Sequence, residues 1–341
     1  MSSGKDARLI PYGETNLGTP LELIAGLIVP NSQFFVRSNG PTPDITREDW
    51  SLCVDGEVRM PLALDFAALS ALPNRTVTAF LECTGNGRSR FDPVAEGTPW
   101  KNDGVGNAVW SGVPLRHVLE AAGPLESAVD VVTQGVDLPD MRRGLPLSIA
   151  LDPDTMLVYE MNGEPLPAMH GGPVKLFVPR WAGIASTKWL TRLELWKQPF
   201  TGKFQGESYV VYDSDGTPIA PISQMPVKSV IVRPGDSDEV AAGATVISGY
   251  AWSGYAGIAT VEVRIDDGKW TRAGMVDSAG PLSWCRWSYT AELESGRHVI
   301  AARATDERGI QQPRKAFWNQ KGYLMNEIQT ITICVASDTG R

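Results

Sequence analysis

Apolar residues along this chain recur at two different spacings, and the change comes about two-thirds of the way along. In the first part, residues 75–83 place Val77, Ala79, Leu81 and Cys83 on one face by the period-2 rule, which predicts a strand ending at Cys83. Residues 50–64 read as a strand, a turn at Asp55-Gly56 and a second strand. Residues 65–72 read as a short helix with Asp65 placed to cap it. In 114–122, Leu115, Val118, Leu119 and Ala122 share a helical face, with proline near the start and Gly123 past the end. Residues 129–133, 156–160, 174–178 and 189–196 read as further strands, which together predict an α+β domain with one helical core layer against a mixed sheet.

Past Pro226 the pattern becomes short alternating strands at 227–232, 244–250, 260–265, 284–290, 299–304 and 328–334, with turns at Asp267-Gly268, Ser295-Gly296 and Arg308-Gly309. That spacing predicts an all-β sandwich of immunoglobulin type. Residues 197–225, rich in Gly, Ser, Asp and Pro, read as the connection between domains. The segment 21–30 is apolar but short, and reads as a docking segment.

Length and composition agree with two soluble globular domains, and a net charge of −8 argues against a nucleic-acid-binding surface. No apolar run approaches the roughly 18 residues that a spanning helix needs. The chain as written begins without a signal core or twin arginine, so a cytoplasmic location is expected, or a periplasmic one if a leader has been removed. Cysteines 53, 83, 285 and 334 form no C-x-x-C pair and no haem-attachment motif. Three histidines leave little room for a histidine-rich metal site, and His117 is expected on a solvated helix face.

The most informative segment is Cys83-Thr84-Gly85-Asn86-Gly87-Arg88, with Arg90 beyond it. A thiol at a strand end, beside flexible backbone and fixed positive charge, is placed where a thiolate is favoured, as nucleophile or soft-metal ligand. The plainer reading is a buried cysteine closing a core strand. This segment resembles the metal-cysteine loop of the sulfite oxidase family, whose members carry molybdenum on a molybdopterin. Further segments match in order: Phe34-Phe35-Val36-Arg37 with Pro41 and Pro43, then Trp110 to Leu115 as an entry into a helix, then Met161 to Pro167 with His170-Gly171 and Lys175. Lys188-Trp189-Leu190 follows, and Trp318-Asn319 with Gly322 and Asn326 resembles the C-terminal signature.

The resemblance implies a molybdopterin-binding catalytic domain over 1–222 and an immunoglobulin-like dimerisation domain over 223–341. It implies cofactor contacts from Phe35, Val36, Arg37, Ser38, Asn39, Asp137, His170, Lys175, Ser186, Thr187 and Lys188, with Cys83 as the ligand to molybdenum. Lys175 stands where arginine is more usual, which keeps the charge but loses bidentate geometry. Arg37, Arg88 and Trp100 match the sulfite-holding pocket, Lys321 is expected to reach it from the C-terminal domain, and Tyr209, with Tyr212 as competitor, matches a tyrosine near the metal. The implied reaction is oxygen-atom transfer to sulfite, with electrons passing to an external acceptor such as a cytochrome and no nucleic-acid or membrane partner. Gly87 and Asn39 depart from the animal-type pattern, which keeps open a sulfane dehydrogenase subunit acting on protein-bound sulfur; a metal-free scaffold of the same fold is the other alternative, and Cys83, His170 and Lys188 together argue against it. Arg37, Arg88 and Lys321 together favour a divalent oxyanion over nitrate.

Overall fold

The computed structural model describes residues 4–213 and 215–337. Among these, one sheet is built from Arg75–Glu82, Val105–Pro114 and Met156–Met161 in antiparallel order, with Glu164–Pro165 and Lys175–Phe177 both pairing to Met156–Met161. Glu82 lies opposite Val105, so the chain leaves this sheet at Cys83, whose amide donates to Gly104 O at 2.8 Å. A second sheet runs Leu62–Asp65, Ser51–Gly56, Leu190–Trp196, Asp130–Gly135, Arg142–Pro146, with one parallel pairing, between Ser51–Gly56 and Leu190–Trp196.

The helix Leu115–Ala122 buries Leu115, Val118, Leu119 and Ala122 completely against Leu52, Val54, Val131 and Leu193. Each buried leucine or valine contributes about 1.5–3 kcal/mol. Gly123 ends the helix in the left-handed region at φ 65°. Asp65 caps Phe66–Ser70 by accepting the Ala68 amide at 2.7 Å, an interaction worth about 1 kcal/mol.

Some expectations change. The first domain is mostly β with short helices, not a helical layer against a sheet. Trp110–Pro114 is the end of the central strand, and the helix begins only at Leu115. Val105–Pro114 was not expected as a strand, because Gly106, Gly112 and Pro114 interrupt its apolar pattern. Gly112 is needed there, since a Cβ would lie 2.1 Å from Leu157 O across the ladder. Arg142–Pro146 was missed because two arginines and a glycine hide its apolar pattern, and Gly274–Ser278 because it is exposed. His117 is half-buried and lies 3.8 Å from Glu120.

The C-terminal part forms two sheets, with Lys228–Arg233, Gly243–Trp252, Cys285–Leu293 and Gly274–Ser278 in one and Gln329–Val335, Gly296–Asp306 and Ile258–Ile265 central to the other. Val227, Ile247, Val261, Trp287, Ile300 and Ile333 fill the space between them. A second core is shared between the domains, where Phe80, Trp110, Trp252 and Trp284 belong to one continuous cluster. Residues 21–30 dock across that seam: Leu27 O accepts from both Asn107 Nδ2 at 3.1 Å and Trp284 Nε1 at 2.8 Å.

At the centre of the seam lies a buried ion pair. Lys228 Nζ is 3.3 Å from Glu82 Oε1, and both side chains are about 1% exposed. Glu82 also accepts from Asn86 Nδ2 at 2.8 Å and from Trp252 Nε1 at 2.7 Å, while Lys228 donates to Asn86 O at 3.4 Å. Removing one partner of such a pair leaves an uncompensated buried charge, at a cost of about 3–5 kcal/mol. We expect Lys228→Met to lower the unfolding free energy from urea titration by that amount, and a second change, Glu82→Gln, to restore most of it. Equal stability of Lys228→Met and the native chain would show that the pair contributes nothing.

Candidate active site

The loop after the Arg75–Glu82 strand turns back on itself at once. Asn86 N donates to Cys83 O at 2.9 Å and Arg88 N to Gly85 O at 3.0 Å, and Gly87 enters the Arg88–Arg90 turn at φ 87°. Asn86 pins this loop, since its Oδ1 accepts the Gly104 amide at 3.0 Å while its Nδ2 is held by Glu82. Cys83 is 8% exposed. Burial pushes its thiol up, and Arg37, the Gly85 amide and Arg88 pull it back without cancelling that effect. The expected thiolate is therefore not favoured by the loop alone, because desolvation outweighs the two arginines.

Cys83 stands where two clefts meet. The larger, of about 880 Å³ including open solvent, is lined by Phe35, Arg37, Ser38, Asn39, Asp137, His170, Lys175, Ser186, Thr187 and Lys188, besides Cys83 and Tyr209. These are the expected cofactor residues except Val36, which is 1% exposed and exchanges backbone hydrogen bonds with Leu17 instead. The lining is strongly cationic for a chain of net charge −8. Lys175 is buried over the Trp110 ring, 5.2 Å from its centroid, and burial pulls it down to about 7. Lys188 donates to Ser38 Oγ at 2.8 Å and Met169 O at 2.6 Å, and is lowered by burial and then by Lys175 and Arg37. His170 is held well below the usual histidine range by burial, with Lys5, Lys188 and Lys175 adding to it. Asp137 is the carboxylate in this lining, and burial raises it. Cations crowded into a buried space are stable only with an anion among them.

The smaller cleft, of about 750 Å³ including open solvent, is lined by Arg37, Arg88, Trp100, Tyr209, Lys321 and Tyr323 around Cys83. Arg88 donates from Nε to Lys321 O at 2.9 Å and from Nη1 to Thr98 O at 2.8 Å, and its guanidinium lies 5.4 Å from the Tyr323 ring centroid. Glycines make room for it: a Cβ on Gly85 would fall 2.6 Å from Nη2, and one on Gly322 2.7 Å from Cγ. Trp100 is fully buried against Tyr12, and its Nε1 has no hydrogen-bond partner.

Tyr209 borders both clefts, adopts φ 57° and stacks on Tyr323 with ring centroids 5.6 Å apart. A non-glycine residue in that region costs about 1–2 kcal/mol. Tyr212 lies outside both clefts and donates instead to Glu207 O. Lys321 is exposed at the rim of the smaller cleft, so it does not close the pocket as a buried charge. Residues 197–225 are more than a connection: Phe204 and Tyr209 face the larger cleft, and buried Arg143 holds this segment with bonds of 2.5 Å to both Phe204 O and Ile222 O.

Sequence reasoning missed Tyr323, Arg143 and Thr84. The signal for Tyr323 was its place beside Gly322, since Asn319 holds the Tyr323 backbone from both sides, at 2.8 and 2.9 Å, and Leu324 N then donates to Thr84 O in the cysteine loop. For Arg143 there was none, because its carbonyl partners are fixed only by tertiary structure.

Residues 39–204 match the family described as oxidoreductase molybdopterin binding domain, and residues 220–335 the Mo-co oxidoreductase dimerisation domain. The chain is 33% identical over 338 residues to a sulfite oxidase of Gallus gallus, covering 91% of this chain and 74% of that protein. It is 31% identical over 352 residues to the mitochondrial sulfite oxidase of Homo sapiens, covering 94% of this chain and 64% of that longer protein. Among solved structures it is similar to the sulfane dehydrogenase SoxCD of Paracoccus pantotrophus, with a TM-score of 0.87, 30% identity, and 96% and 86% of the two chains covered.

The lysine burial has a consequence for pH. A lysine held near 7 when folded and 10.5 when unfolded carries its full penalty below pH 7 and sheds it as pH rises through that window. The cofactor-free chain should therefore gain stability from about pH 7 to 10. Lys175→Met should flatten part of that rise in urea titrations across the range. An unchanged slope would mean that Lys175 is not desolvated.

Proposed function

The chain belongs to the sulfite oxidase family of molybdopterin-dependent oxidoreductases, and on that premise we propose that it oxidises sulfite to sulfate and passes the electrons to an external acceptor. The reading is supported above all by the meeting of the two clefts at Cys83, one strongly cationic and the other lined by arginine. The residues fit the cofactor. Buried Lys175 and half-buried Lys188 call for the anion that a pterin phosphate brings, and Asp137 offers a carboxylate to the pterin's amino groups. When bound, the cofactor supplies the oxygen-atom-transfer chemistry.

Around it the chain's own groups have distinct tasks. Cys83 would be the protein's ligand to molybdenum. Among the described residues no group of three or more His, Cys, Asp or Glu converges on a metal position. Arg37 and Arg88 orient the oxyanion, and Arg88 does so with Nε and Nη1 already fixed by carbonyls, which sets the direction of its remaining donors. Tyr209 stands at the junction, and Trp100 and Tyr323 form apolar walls that limit water there. Lys321, at the rim, attracts the anion rather than holding it.

A second reading, a sulfane substrate, is favoured by the exposure of Lys321, which leaves the smaller cleft with two arginines rather than three enclosed cations. One experiment addresses both. Purified protein should hold about one molybdenum per chain and turn over sulfite with an artificial one-electron acceptor, and Cys83→Ser should stay folded but lose nearly all turnover. Turnover of a sulfane donor but not of sulfite would move the assignment to the second reading, and full activity in Cys83→Ser would remove the cysteine from the site.

The C-terminal domain, read as an immunoglobulin-type sandwich, is proposed to pair two copies of the chain, since it matches a dimerisation family and leaves Val246, Met275 and Val276 exposed. Light scattering at micromolar concentration should give close to twice the 36.9 kDa of one chain. A stable single-chain mass would refute the pairing.

A further inference from the structure

Lys5, outside the residues that either family model matches, reaches the back of the cofactor cleft. It does not line that cleft but a separate one behind the Ala168–His170 turn. Its Nζ makes three short contacts, with Asn31 O at 2.6 Å, Phe34 O at 2.8 Å and His170 Nε2 at 2.7 Å. An ammonium has three N–H donors and no acceptor, so these three acceptors saturate it. A nitrogen–nitrogen contact of this length holds one proton. Burial pulls Lys5 down to about 7, so below that pH the shared proton belongs to Nζ, and the neutral imidazole carries its own on Nδ1.

Resting on the cofactor reading above, we propose that Lys5 is a positioning residue that acts through His170. It fixes the Nδ1–H tautomer and places a positive charge behind the ring, so that His170 meets the anionic cofactor as a hydrogen-bond donor. The frame around the pair is rigid. The Phe34 ring meets the imidazole edge to face, with centroids 5.5 Å apart at 85°. Asn31 is held by Asn162 Nδ2 at 2.9 Å, and it donates to Met161 O at 3.0 Å and Glu164 Oε2 at 2.9 Å. Phe34 leads directly into the Phe35 to Asn39 stretch of the cleft, so one lysine ties the N-terminal segment, the first cofactor stretch and the histidine together. The Asn31 carbonyl lies within reach of both Lys5 and the ring, so without Lys5 it would accept from Nε2–H alone, and the ring would turn a bare Nδ1 to the anion.

The chain has three histidines, so the ring-nitrogen signals of histidine-labelled full-length protein can be assigned with one His170→Gln control. The native chain should show His170 protonated on Nδ1, and Lys5→Met should move that proton to Nε2 while the His117 and His298 signals stay in place as a check on folding. Pterin fluorescence should report release of the cofactor from Lys5→Met about 10–100-fold faster, the range for loss of a group that orients a ligand-binding histidine. Lys5→Arg should keep the Nδ1–H form. An unchanged tautomer in Lys5→Met, or unchanged release, overturns the proposal, and so does an Nε2–H ring in the native chain, which decides the matter even if Lys5→Met fails to fold. Absence of pterin from the native chain would instead defeat the cofactor reading and leave the tautomer to judge Lys5.

Discussion

The Glu82–Lys228 pair is the contact on which the geometry of this protein turns. Glu82 is the last residue before the cysteine, and Lys228 opens the first long strand of the C-terminal domain. Neither charge reaches water, so each needs the other and the bonds from Asn86 and Trp252. Two apolar surfaces meeting at a domain seam can slide, because hydrophobic burial has no preferred direction. A buried ion pair with fixed hydrogen-bond partners cannot, and here its partners include the residue that pins the cysteine loop.

The same dependence appears on the other side of Cys83. The second cleft is finished by the segment around Lys321 and Tyr323, which belongs to the C-terminal part of the chain yet fastens to Arg88 and Thr84 of the loop. The arginine is threaded between glycines, with its carbonyl partners drawn from both domains. The second domain is therefore part of the site's construction as well as a surface for pairing. A change at the seam should be felt at the cysteine, through the direction in which Arg88 points.

Charge is distributed against the grain of the composition. An acidic chain gathers Lys5, Lys175, Lys188 and Arg37 around one cleft, with Lys175 buried and Lys5 and Lys188 half-buried. Such a cluster is unfavourable until an anion enters, which makes the cofactor a stabilising element as well as a chemical one. His170 remains neutral in this field, because burial and three lysines oppose a fourth positive charge.

The sequence by itself determined the local pieces. Period-2 and helical apolar patterns located the Arg75–Glu82 strand, the Leu115–Ala122 helix and the alternating strands beyond Pro226, because burial of one face leaves its mark on neighbouring residues. The Cys83 loop marked the site, and most residues that its family resemblance named line one cleft or the other. What the sequence could not decide depends on partners far apart in the chain. The Val105–Pro114 strand was hidden by a glycine that exists only to let Leu157 pass. Lys5, Arg143 and Tyr323 gain their roles from carbonyls and rings 26 to 165 residues away or across the seam. Lys321, expected inside, lies at the rim because its backbone, not its side chain, is what Arg88 uses. The cysteine itself shows the limit most clearly: its arginines are visible in the sequence, but the desolvation that outweighs them appears only in the folded core.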